Sequence, residues 1–157
     1  MNVVRPHPSL DVLHARLLAG ESATAVIGDL FGRPVRVRRR HPDTVEIGPR
    51  RHILHPADHE LVLHRAVLLL AREQIVSEAD LYYVPSRLGP GMPETLRDTD
   101  TPFGTVARPL QPVRETHRAE IGAPGDPHAL IHEALLSAAG LPIAFVSERY
   151  FSVQGGK

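Results

Sequence analysis

Histidines, strand-borne carboxylates and arginines are the side chains in this sequence that could do chemistry. Four of its ten histidines, His52, His55, His59 and His64, fall in one short window. On a helix His55 and His59 would share a face, the geometry of a two-histidine metal site. Pro56 interrupts that helix and Arg50-Arg51 precede it, so surface histidines in a loop are expected, with no metal bound. Glu78, Asp80 and Glu148 instead lie inside apolar, strand-like patterns. A carboxylate in a strand usually points to water. On a concave sheet face it would sit in a pocket with a displaced pKa. For Glu148 both readings stay open. Period-two geometry puts Val146, Glu148 and Tyr150 on one face and Ser147, Arg149 and Phe151 on the other.

Composition removes several chemistries. There is no cysteine, which excludes disulfides, thiolate metal sites and cysteine nucleophiles. The sole lysine is Lys157, so Schiff-base and phosphate-loop lysines are excluded from the interior. No nucleophile elbow or dinucleotide fingerprint is present. Eighteen basic and eighteen acidic residues balance, unlike the basic excess of a duplex-binding domain. The Arg36–Arg40 run alternates with valines and reads as a solvated strand face rather than a phosphate patch. No run of about 18 apolar residues exists. Residues 1–10 lack the apolar core of a signal peptide. The expectation is a cytoplasmic protein with no membrane or nucleic-acid partner.

The elements that must position these groups read as follows. Ser9 can cap a helix with Leu10, Leu13, Leu17 and Leu18 on one stripe, ended by Gly20. Ser22 can cap a second, with Val26, Ile27, Leu30 and Phe31 inward, closed by Gly32. From Pro34 the period becomes two, and Thr44–Ile47 could be the hairpin partner of the Val35–Val37 strand. Arg50–Asp58 looks like loop. Strands are expected over Leu61–Leu70 and Ile75–Val84, with Ile75, Ala79, Leu81 and Tyr83 on one face and Glu78, Asp80 and Tyr82 on the other. Short helices fit Pro93–Arg97 and Pro102–Val106. Val113–Ile121 reads as a strand with Val113, Ala119 and Ile121 on one side. Between Asp126 and Gly140 local signals favour a helix, with Asp126 as cap, Pro127 first and Gly140 after the end. A strand over Leu130–Leu136 with a hairpin at Ala138–Leu141 also fits, and Pro142–Ser152 is a strand by composition.

This order of elements resembles chorismate pyruvate-lyase and its relatives, which include the effector-binding (UTRA) domains of GntR-type regulators. Four segments carry the resemblance. Leu17-Leu18, Glu21-Ser22-Ala23-Thr24 and Gly32-Arg33-Pro34-Val35 look like the family's opening helix pair and first strand. His64-Arg65 with Val67-Leu68-Leu69 looks like its central strand. Asp100-Thr101-Pro102-Phe103-Gly104 looks like its T-P-L-G turn, and Gly140-Leu141-Pro142 leading to Val146-Ser147-Glu148 looks like its G-K-P-L-L-L-T-E hairpin. The last match implies strand, not helix, through Leu130–Leu136.

The resemblance implies one α+β domain over residues 1–157, with a single antiparallel sheet of about six strands, helices on one face and a buried ligand cavity. It implies a cofactor-free lyase that removes pyruvate from chorismate to leave a hydroxybenzoate, serving specialised metabolism. Glu148 would be catalytic, with Arg65 and Arg114 as its charge partners. Ala23, Asp80, Leu81, Phe103 and Gly104 would contact the substrate. One departure matters: Leu81 stands where the family carries its carboxylate-binding arginine. A buried dianion without that arginine would cost several kcal/mol. Arg65, Arg87, Arg97 or Arg114 would have to replace it. Otherwise the chain is a same-fold enzyme for another cyclic or polyketide-like substrate, or a non-catalytic effector-binding domain. Its length leaves no room for a DNA-binding domain beside the fold. The oligomeric state is left open. Glu148→Gln is expected to remove activity or binding while lowering stability by no more than about 1–2 kcal/mol.

Overall fold

The computed structural model describes residues 10–19, 23–32, 34–123 and 125–151. The expected caps Ser9, Gly20 and Ser22 lie outside the described residues, as do Glu21, Arg33 and Lys157; so do the side chains of Leu10, Leu30 and Phe31.

Two helices open the described chain, α1 (Leu10–Leu18) and α2 (Ala23–Phe31). β1 (Val35–Arg39) and β2 (Thr44–Val45) follow, then a 3-10 helix over Pro49–Leu54. The long hairpin of β3 (Leu63–Ala71) and β4 (Gln74–Tyr83) leads to α3 (Met92–Asp98) and α4 (Phe103–Ala107). β5 (Val113–Ile121), β6 (His128–Ala138) and β7 (Leu141–Phe151) complete one seven-stranded antiparallel sheet, ordered β1-β3-β4-β7-β6-β5. β2 pairs with β3, not with β1 as the sequence suggested. Both short strands lie along β3, β1 against its second half and β2 against its first two residues.

The segment with conflicting signals is strand. β6 is bonded on one side to β5 and on the other to β7, so pairing on both edges overrides Asp126 and Pro127 as local helix starts. The β6–β7 turn has two left-handed residues, Ala139 (φ 50°) and Gly140 (φ 77°), which suits the right-handed twist of a tight hairpin.

One sheet face carries two apolar clusters. Leu13 and Leu17 of α1 and Val26 and Ile27 of α2 pack on Leu69, Ala71, Val76, Leu130 and Tyr150. Each such buried side chain contributes about 1.5–3 kcal/mol. Leu18, expected in the same stripe, is exposed. The second cluster sets Leu96, Phe103 and Ala107 of α3 and α4 on Leu81, Tyr83, Ala134, Ala144 and Val146. Period two along β6 and β7 places both clusters on the same face, at opposite ends. The other face is covered in part by the 3-10 helix, whose Leu54 packs with Val62, Tyr82, Val84 and Phe145.

Two bulges alter the side-chain phase predicted from alternation. Between β3 and β4, Leu69 pairs with Ser77 but Leu70 with Ile75. Val76 is therefore the extra residue and enters the core, while Ile75 is turned outward. In β5 the register slips between Thr116 and Arg118, which breaks the common side expected for Val113, Ala119 and Ile121; Val113 and Ile121 are both exposed at the sheet edge.

Candidate ligand cavity

The two helix layers leave a gap between them over the middle of the sheet. That gap is a cavity of about 270 Å³. Arg65, Val67 and Leu69 of β3, Ser77, Ala79 and Leu81 of β4, and Val146 and Glu148 of β7 form its base. Ala23 and Thr24 of α2 close one end; Pro102, Phe103, Gly104, Thr105 and Arg108 close the other. Arg114 of β5 and Leu136 of β6 supply a side wall.

Seven of the eight site residues named from the sequence line this space: Ala23, Arg65, Leu81, Phe103, Gly104, Arg114 and Glu148. Asp80 does not. It projects from the opposite face, where its carboxylate meets His64 Nε2 at 2.6 Å and accepts from Arg149 at 2.7 Å. Burial alone would raise its pKa, but the bonds from His64 and Arg149 prevail and lower it. The strand pleat is the reason: Ala79 and Leu81 face the cavity, so the residue between them cannot. Of the four histidines weighed for metal binding, His52 lies in the 3-10 helix and His55 is its left-handed end residue, while His64 stacks on Tyr82. Among the described residues no group of three or more His, Asp or Glu could hold a metal ion.

Glu148 is a buried acid with both oxygens engaged. Arg114 donates to Oε1 and the Tyr150 hydroxyl to Oε2. Burial and the Glu148 charge push the Tyr150 phenol well above its ordinary range, so it remains a donor. The same Arg114 nitrogen donates to Nδ1 of His132 at 2.9 Å. A guanidinium can only donate, so Nδ1 accepts and the proton sits on Nε2, 3.5 Å from the Thr116 hydroxyl. Burial, and then the Arg114 charge, lower the His132 pKa and keep the ring neutral. Nε of Arg114 is buried with no hydrogen-bond partner among the described residues.

Arg65 is committed differently. It is 1% exposed and donates to the carbonyls of Leu96 (2.6 Å), Thr99 (3.0 Å) and Thr101 (3.1 Å), and to Asp43 at 3.3 Å. Asp43 also accepts from Tyr83 at 2.6 Å, and Arg39 donates to the carbonyls of Leu96 and Arg97 and to Asp100. Arg65 thus ties β3 to the loop that delivers Pro102–Thr105 to the cavity. Arg87 and Arg97, the remaining substitutes for the arginine displaced by Leu81, lie elsewhere. Arg87 binds Glu60 and the carbonyls of Leu54, His55 and Pro142, while Arg97 pairs with its neighbour Asp98. Hydrogen bonds from Arg87, Ala57 and Ser86 hold Glu60 down to a pKa of about 2.

Alternation and resemblance missed Arg108. It follows α4 in a short 3-10 turn, where no period exists to read. Its side chain is exposed at the cavity rim and has no hydrogen bond or ion pair among the described residues. Val37, Thr24 and Ser77, none of them singled out from the sequence, also face the space.

The architecture is the chorismate lyase-like fold shared by the ligand-binding domains of GntR-family regulators. The C-terminal domain of the histidine utilization repressor of Pseudomonas syringae pv. tomato str. DC3000 matches with a TM-score of 0.56 at 11% identity, covering 78% of this chain and 95% of that one. The ligand-binding domain of a GntR-family transcriptional regulator from Bordetella bronchiseptica gives 0.56 at 14%, covering 78% and 88%. The transcriptional regulator YydK of Bacillus subtilis subsp. subtilis str. 168 gives 0.53 at 14%, covering 78% and 62%. At these identities the likeness is one of fold. No family model matches the chain. In sequence it is 33% identical over 124 residues to the protein y4mC of Sinorhizobium fredii (strain NBRC 101917 / NGR234), which takes in 71% of this chain and 51% of that protein. The chain therefore spans about half the length of this relative. No helix among the described residues is long and apolar enough to cross a membrane.

The expectation of a lyase is overturned. The three solved structures just described, which share its fold, belong to transcriptional regulators. The cavity agrees with that finding. A dianionic substrate needs at least two available cations, yet Arg65 is bonded to Asp43 and backbone, and Arg114 to Glu148.

Proposed function

We propose that this chain is a non-catalytic binding domain whose cavity takes a small organic effector. The observation that carries this reading is the state of its polar groups. The acid that resemblance marked as catalytic is ion-paired with Arg114 and hydrogen-bonded by Tyr150, and His132, bonded to the same arginine, is neutral and buried. A general acid or base needs a proton-accepting or proton-donating position facing substrate. Glu148 is instead held in the cavity floor by Arg114 and Tyr150. Around it the walls are aliphatic and aromatic, the composition of small-molecule sites. The fold's use for ligand binding in regulators supports the same reading by analogy.

The test is a thermal-shift screen of a metabolite library against the native protein and two blocked variants, Ala79→Phe and Thr24→Phe. The substituted residues line the cavity from the sheet and the helix side. Circular dichroism establishes that each variant is folded. Compounds that raise the melting temperature of the native protein and of neither variant support the proposal. A library in which no compound separates native from blocked protein, or in which a cavity ligand is chemically turned over, overturns it.

A further inference from the structure

The charges lining the cavity narrow the class of ligand, an argument that rests on the binding reading above. Three cations and one acid line it: Arg65, Arg108, Arg114 and Glu148. Arg65 is balanced by Asp43, which it meets at 3.3 Å, and its other bonds go to backbone carbonyls. Arg114 and Glu148 balance each other. Among the described residues only Arg108 then remains, a single positive charge at the rim.

We infer that the cavity takes a small amphipathic monoanion: an apolar body over the sheet, a single acid group at Arg108, and no second charge. Size sets the body. About 270 Å³ lies just below the usual range for ligand sites, about 300–1,000 Å³, and is nearly twice a cavity of about 150 Å³ that admits benzene. One substituted ring or a short alkyl chain fits. Leu69, Ala79, Leu81, Phe103, Leu136 and Val146 give that body an apolar bed. A cationic ligand finds no uncompensated acid among the described lining residues, because the Glu148 charge is already paired with Arg114. A dianion would bury its second charge without a free partner, which is costly.

Octanoate and 3-phenylpropanoate, each compared with its own primary amide, test this by calorimetry at low and high salt. At least one acid should bind the native protein tenfold or more tightly than its amide, about 1.4 kcal/mol. That preference should shrink with salt, because an exposed rim charge is screened. In Arg108→Gln it should fall to threefold or less while amide binding is kept. Ala79→Phe and Thr24→Phe should lose both members of the pair. If acid and amide bind alike and both are lost in the blocked variants, the monoanion class is overturned and the binding reading stands. If the acid's preference survives Arg108→Gln, the assigned anchor is wrong and the inference falls. If none of the four probes binds at millimolar concentration, the ligand class is overturned, and the library screen alone then decides whether the cavity binds anything.

Discussion

Glu148 shows how a residue can be placed by pattern and misjudged in energy. Alternation grouped it with Val146 and Tyr150 and left its exposure open, the resemblance put it in the site, and it lies buried, 3% exposed. The expectation that Glu148→Gln would cost no more than about 1–2 kcal/mol took the usual range for one substitution, although Arg65 and Arg114 were already named as its charge partners. The structure gives it a charged partner, so the neutral amide leaves Arg114 buried without a counter-charge. Breaking such a pair costs about 3–5 kcal/mol, and urea unfolding of Glu148→Gln should read a loss of at least about 3 kcal/mol. Removing both charges, in Glu148→Gln with Arg114→Gln, should cost clearly less than the sum of the single changes. Additive losses would contradict the pairing. His132 carries a separate signature. Its folded pKa is depressed by burial and by Arg114 below the value of about 6.5 it recovers on unfolding. Below that pH the unfolded chain binds the proton more readily, so stability is complete above about pH 6.5 and falls as pH drops through it. Asp80, also depressed, adds its loss only below about pH 4, where carboxylates protonate in the unfolded chain. Urea midpoints of the native protein should therefore begin to fall near pH 6.5, and those of His132→Gln should stay flat down to about pH 5.

At the scale of elements, strand alternation was legible and its interruptions were not. β3, β4, β6 and β7 are close to their expected spans because each alternates or runs apolar over nine or more residues. The bulges at Val76 and His117 leave no mark in composition, since each is one extra residue in an otherwise regular pattern. That is why Ile75 leaves the face it was expected to share with Ala79, Leu81 and Tyr83, and why Val113 and Ile121 do not keep a common side. The cavity's sheet side was readable for the same reason that Asp80 was not: neighbouring strand residues face opposite ways, and the family pattern could not say which neighbour mattered. Arg108 and the Arg65–Asp43–Tyr83 cluster depend on contacts between residues far apart in sequence, which no local period encodes. Ala139 is a point where the sequence is not optimal for its turn. A left-handed conformation costs a β-carbon about 1–2 kcal/mol, which asparagine partly and glycine almost wholly avoids. Ala139→Asn should therefore raise stability by about 0.5–1 kcal/mol in urea unfolding; a loss would mean that the turn is not in this conformation.

On the scale of the whole molecule, one sheet joins three apolar clusters, and that connection predicts how the protein unfolds. Each cluster happens to contain one of the three tyrosines: Tyr150 beneath α1 and α2, Tyr83 beneath α3 and α4, and Tyr82 on the opposite face under the 3-10 helix. The helix layers do not share a cluster, and the cavity separates them. Independent opening of either layer would therefore be conceivable if the sheet were weakly held. It is not: β4 and β7 pair over seven residues at its centre and contribute to both clusters, with Val76 and Tyr150 in one, Leu81, Tyr83 and Val146 in the other. Melting one cluster exposes strands that the other needs. A chain of this size with such shared strands should unfold in a single cooperative step. Ring-labelled tyrosine followed by NMR through a urea titration gives three separate signals, one per cluster, and their midpoints should coincide within error. A ligand held between the layers touches both, so at a concentration of 100 Kd it should stabilise the fold by about 2.7 kcal/mol and shift all three midpoints together. An earlier midpoint for Tyr83 than for Tyr150 would instead define α3, α4 and their loop as a separately opening cavity wall, held shut by the Arg65 bonds rather than by the sheet.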